Sequence, residues 1–208
     1  MTNSIENIYS DFRTNYVDKP DFTIDFFEKN SIYFNCIKQL NNKEELRLYI
    51  QLVCKYAEAN YYKDHFNIAV DIVNKQQPFI DNEIHSLNAN DLKDDWYYYL
   101  QFVKGMASYR LRDYKTSTPI FKKLVEYDTK NDNFKNWLRN SLYGKRMWIS
   151  TTIIITCIAL VTIDIIFGNY IPSFIVRISF VGVALTGLFV TGFYYYYLKR
   201  SRRKSQLK

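Results

Sequence analysis

Residues 44–75 read EELRLYIQLVCKYAEANYYKDHFNIAVDIVNK, and the spacing of their apolar side chains decides the fold class. One stripe runs through Leu46, Tyr49, Ile50, Val53, Tyr56 and Ala57, and a second through Tyr62, Phe66, Ala69, Val70 and Val73. Steps of three and four residues line one face of a helix, whereas a half-buried strand would alternate. Two helices joined by only a few residues must lie antiparallel. The pattern returns in 91–111, with Trp96, Leu100, Val103 and Ala107, and in 114–127, with Phe121, Leu124 and Val125. Residues 21–27 and 31–40 also carry helical spacing. Before residue 144 the only glycine is Gly105 and the only prolines are Pro20, Pro78 and Pro119. The expectation is an all-α chain built from helix pairs.

These pairs resemble the tetratricopeptide repeat, a helix-turn-helix unit of about 34 residues with fixed large and small packing positions. Gly105 falls where that family keeps a small residue for close helix approach. Arg112 to Tyr114 resembles its Gly-Asp-Tyr turn, Ser117 and Phe121 its small-then-aromatic pattern, and Thr129 sits at its closing proline. In the first pair Tyr49, Leu52 and Tyr56 match the large positions, and Asn60-Tyr61-Tyr62 resembles the turn. In that register Val53 stands at the small position and Ala69 at the aromatic one. The resemblance implies two units, at 46–78 and 96–130, which are 52 residues apart. Residues 76–93 are then an inserted loop or an extra helix, and Pro119 delays or kinks the second helix of its pair. The reading beside it is an irregular helical bundle. An array this short needs capped ends; the leading helices would cover one, and 133–143, through Phe134, Trp137, Leu138 and Leu142, the other. Gly144 would be a hinge between that helix and the apolar C-terminal third.

Beyond residue 144 the composition changes. Two apolar runs, 147–167 and 178–197, hold 21 and 20 residues with a single charge between them, Asp164. About 20 apolar residues cross a bilayer core as a helix, so 145–198 reads as a transmembrane hairpin. Lys145 and Arg146 flank the first run, and Lys199, Arg200, Arg202, Arg203 and Lys204 come after the second, in a basic tail at 199–208. Positive flanks stay cytoplasmic, which puts both termini inside, at what we expect to be a bacterial inner membrane. The N-terminus MTNSIENIYS carries no signal-peptide pattern, so 1–144 is expected to be a cytosolic domain.

Residues 1–146 hold 21 Lys/Arg against 20 Asp/Glu, and the remainder of the net +7 lies beyond them. The basic balance thus belongs to membrane flanks and excludes a nucleic-acid surface. The tail either marks topology or meets anionic lipid. Asp164 and Arg177 would lie at similar depth in a hairpin. They form a pair, or Arg177 snorkels outward, or Asp164 serves an ion. Small-xxx-small spacings at Gly182–Thr186 and Gly187–Thr191 would let the first span or another protomer approach closely, the latter giving a homo-oligomer.

Cys36, Cys54 and Cys157 are scattered and read as reduced packing residues. His65 and His85 lack neighbours at metal spacing, and no cofactor is expected. There is no phosphate loop, nucleophile elbow or His-Glu-x-x-His. Glu44-Glu45 and Asp94-Asp95 sit at helix starts, where they complement the dipole. With 19 tyrosines, some in runs such as Tyr97-Tyr98-Tyr99, one or two rings of that run should meet solvent or a partner. The expectation is a non-enzymatic, membrane-anchored adaptor or scaffold that binds a protein or peptide through its helical domain. The competing readings are a subunit of an oligomeric channel or transporter using Asp164 and Arg177, and a regulatory or sensor subunit.

Overall fold

A computed structural model describes residues 5–15, 19–93, 96–167 and Gly182. Every regular element among them is helical: α1 (Ile5–Asn15), α2 (Pro20–Lys29), α3 (Ser31–Cys36), α4 (Lys43–Tyr62), α5 (Phe66–Ser86), a 3-10 turn (Asn90–Lys93), α6 (Trp96–Arg110), α7 (Tyr114–Tyr127) and α8 (Asp132–Phe167). The all-α class is what the spacing of 44–75 dictates. Two compact units divide the chain, 1–141 and 142–208.

In the first unit α4 is the central element, packed by α5, α6, α2 and α1. Leu46, Tyr49, Ile50, Leu52, Val53, Cys54 and Ala57 are all buried along it. Its start is fixed by Asn42, whose side chain accepts from the Glu45 amide at 2.9 Å, while Glu45 Oε2 accepts the Asn41 amide at 2.8 Å. This reciprocal capping satisfies two otherwise orphaned donors. Glu45 therefore acts through these bonds as well as through the dipole. α1 and α2 pack on α4 with a phenylalanine cluster, Phe12, Phe26 and Phe27, at ring separations of 5.2–5.9 Å. At the other end Phe134, Trp137 and Leu138 of α8 pack with Phe102, Phe121 and Leu124. Leu142, expected on the same stripe, is exposed.

Three helices end in one way. The His65 amide donates to the Asn60 carbonyl at 2.9 Å, Ala89 to Ile84 at 2.8 Å and Asp113 to Ser108 at 2.9 Å. Each is the six-to-one bond of a Schellman motif, with the preceding residue left-handed. Those residues are Asp64 (φ 59°), Asn88 (φ 49°) and Arg112 (φ 62°), at equal intervals of 24 residues. None is a glycine, the residue that usually takes this conformation without steric cost.

This geometry moves the first turn. α4 continues through Asn60, Tyr61 and Tyr62, and the chain reverses at 63–65 instead. Matching Asp64 to Arg112 sets the hairpins 48 residues apart rather than 52. Ala57 then aligns with Gly105, and Ala69 with Ser117, all four being buried. The odd assignments of Val53 and Ala69 disappear with the four-residue shift. Residues 76–86 are neither a loop nor a separate helix but the second half of α5, which runs on through Pro78. Burial of Ile80 and Ile84 outweighs the one backbone bond that Pro78 removes. Pro119 likewise lies inside an unbroken α7.

The second unit is described for the remainder of α8, which is one helix through Gly144 to Phe167. Among the described residues no helix is long and apolar enough to cross a membrane. Side chains at 148–150, 157, 160–161 and 163–167, and all of 178–197 except Gly182, lie outside the described residues. The expected hairpin rests on the sequence alone. The Asp164 side chain, Arg177 and the basic tail also fall outside.

Candidate functional site

The expected packing positions sort into core and surface. Tyr49 and Leu52 are buried, and the Tyr49 hydroxyl donates to Gln76 Oε1 at 2.7 Å. Burial pushes its pKa above the usual tyrosine value. Tyr56 is half-buried and stacks on Phe27 at 4.5 Å. Gly105 lies against α7: a Cβ added there would meet Phe121 Cε1 at 2.9 Å and Ile120 Cγ2 at 3.1 Å. Phe121 also stacks on Trp137 at 5.7 Å. Ser117 is buried and bonded to Ser141 Oγ at 2.8 Å, and Tyr114 sits edge-on to Tyr109 at 5.8 Å. These residues build the hairpins and leave the candidate sites to others. Cys54 is buried, whereas Cys36 is exposed instead of packed. No group of metal-ligating side chains occurs among the described residues.

The tyrosine run at the start of α6 sends its rings three ways. Tyr97 turns to α5, where its hydroxyl donates to Asp81 Oδ1 at 2.9 Å. Tyr98 stacks on Tyr127 of α7 at 3.7 Å. Tyr99 turns to α4, and its hydroxyl donates to Glu58 Oε1 in a short hydrogen bond. Burial, then the neighbouring carboxylate, raises the pKa of both Tyr97 and Tyr99. Each ring is half-buried, so all three keep surface beside their protein partners.

Two concavities flank this run. The larger is an open cleft of about 970 Å³, floored by α6 and walled by α5 and α7. Gln77, Asp81 and His85 line it from α5, Tyr97, Gln101 and Lys104 from α6, and Ile120 and Lys123 from α7. Its floor is rich in donors. Lys104 Nζ reaches Gln77 Oε1 at 3.2 Å, and the Gln101 amide nitrogen is buried without a protein partner. Burial lowers the Lys104 pKa, partly offset by Asp81.

The second is a recess of about 540 Å³ between the α4–α6 face and the end of α7, lined by Lys55, Trp96, Tyr98, Tyr99, Tyr127, Asp128, Asn131 and Phe134. The Tyr98–Tyr127 stack borders both concavities. The tyrosine run hinted at these places, but the cleft draws on three helices, and only the tertiary fold brings them together. No known family model, curated protein or solved structure matches this chain.

Proposed function

We propose that this chain is a membrane-anchored adaptor whose helical unit binds a segment of another protein in the cleft between α5 and α7. The observation that carries the reading is that cleft. It has a volume of about 970 Å³, is open to solvent and is lined from three helices. Its floor presents the half-buried Lys104 ammonium to a ligand rich in acceptors, which peptide carbonyls and carboxylates are.

The shared helix ends at Asp64, Asn88 and Arg112, with small buried residues at Ala57, Gly105, Ala69 and Ser117, support a repeated hairpin of tetratricopeptide-like character. Arrays of that kind present a groove to peptides. Anchoring rests on the apolar runs 147–167 and 178–197 and their basic flanks. Binding without catalysis is the activity we assign.

A photo-crosslinking residue placed at Lys123, and separately at Lys43 away from the cleft, tests this in cells. The account expects one discrete protein joined at position 123 and not at 43. Equal crosslinking at both positions, or none at 123, would refute the cleft as the binding surface.

A further inference from the structure

The second recess has a different chemistry from the cleft. Five aromatic rings line it, from Trp96, Tyr98, Tyr99, Tyr127 and Phe134. Trp96 and Tyr99 stand edge to face, at 87° with centroids 6.1 Å apart. Such ring faces are negative and attract a cation within about 6 Å, Trp most strongly. The local charge agrees. Lys55 is held by Glu58 at 2.9 Å, and Asp128 adds a carboxylate at the end of α7. The negative end of the α7 dipole points to the same place.

Two of the side-chain oxygens there already hold backbone amides. Asp128 Oδ1 accepts the Lys130 amide at 3.0 Å, and Asn131 Oδ1 accepts the amides of Asn133 and Phe134 at 3.1 and 3.3 Å. Glu58 holds Lys55 and Tyr99. A primary ammonium or guanidinium would turn most of its N–H groups toward aromatic walls and lose water there without full replacement. A cation without N–H groups needs none.

We propose that this recess binds a quaternary ammonium group, with Trp96, Tyr98, Tyr99, Tyr127 and Phe134 as its aromatic walls and Asp128 as its counter-charge. Two sources carry that chemistry, a free trimethylammonium compound and a choline lipid headgroup.

The test titrates choline into the full chain in maltoside micelles and follows the width of the choline methyl proton resonance. The uncharged isostere 3,3-dimethylbutanol, of the same shape, is the control. Saturable choline binding is expected, with the isostere weaker by about tenfold because the cation–π and carboxylate contributions are lost. Tyr127→Leu and Asp128→Asn should each weaken choline severalfold while the chain keeps its helicity and unfolds cooperatively. Competition by phosphatidylcholine vesicles, absent with phosphatidylglycerol vesicles, assigns the source to the headgroup. Choline binding without such competition assigns it to a free compound. Equal binding of the isostere, or no saturable choline binding, overturns the proposal.

Discussion

The hairpins α4–α5 and α6–α7 end their first helices alike but fill their interiors by opposite choices. In α6–α7 a glycine, Gly105, lies under a phenylalanine, Phe121, with no room for a methyl group between them. At the corresponding places of α4–α5 stand Ala57 and Val73, both fully buried. A larger residue on the first helix is matched by a smaller one on the second. Close packing constrains the summed volume and leaves the division between partners open. Sequence likeness between the hairpins is therefore weak where their geometry is most alike.

The largest effect should come from emptying the tighter hairpin. Phe121→Ala removes a buried ring stacked on Trp137 and facing Gly105, and should cost about 3–5 kcal/mol, read by urea unfolding of the full chain in detergent. Next, Gly105→Ala should destabilise despite the better helix propensity of alanine, because Phe121 cannot retreat. In a Phe121→Val background, which copies the first hairpin, the same change should become favourable. The coupling between the sites should then be about 1–2 kcal/mol, and additive effects would remove volume exchange as the link between the hairpins.

Alkaline pH probes the seam between them at Tyr97 and Tyr99, and the interior of the first hairpin at Tyr49. Tyr49, Tyr97 and Tyr99 have raised pKa values in the fold, so the unfolded state releases these protons first as pH rises. Stability from them is complete below the unfolded tyrosine value of about 10 and falls above it, by up to about 1.4 kcal/mol per pH unit for each group. Lys104, whose pKa is lowered, acts in the opposite direction: its charged form penalises the fold, and that penalty fades as pH rises through its folded value. Burial also pushes the Cys54 thiol up, so net loss of stability should begin above about pH 9 and steepen above about pH 10, where the tyrosines join it. Tyr97→Phe should make that loss shallower when unfolding is followed against pH.

The smallest effects lie at the shared helix ends. Arg112→Gly should stabilise by about 0.5–1 kcal/mol, since a left-handed arginine is strained. Asp64→Gly should gain less and Asn88→Gly least, because asparagine and aspartate tolerate that conformation. Calorimetric melting of the three variants gives the order.

The sequence alone carried the helix class and the span of α7, because long amphipathic stripes fix both. It misplaced the first turn because Asn60-Tyr61-Tyr62 looks like a break, while the residue that reverses the chain is an aspartate, Asp64. Residues 76–93 read as an inserted loop or an extra helix, yet burial of Ile80 and Ile84 carries α5 on through Pro78. α1 escaped notice, although Ile5, Ile8 and Phe12 form a short stripe that spacing alone could have found. Neither concavity was legible, since Gln77, Gln101 and Lys123, or Trp96 and Tyr127, are joined only by the fold. The tyrosine run pointed to the place without giving the directions of its rings.

The central claim is that recognition belongs to the helical unit and attachment to the apolar C-terminal runs. Crosslinked capture from cells by the full chain, beside a chain ending at Gly144, tests it most directly. The account predicts that both chains join the same protein through position 123. Capture by the full chain alone, of nothing but its own copies or other membrane proteins, would contradict it and move the function into the bilayer.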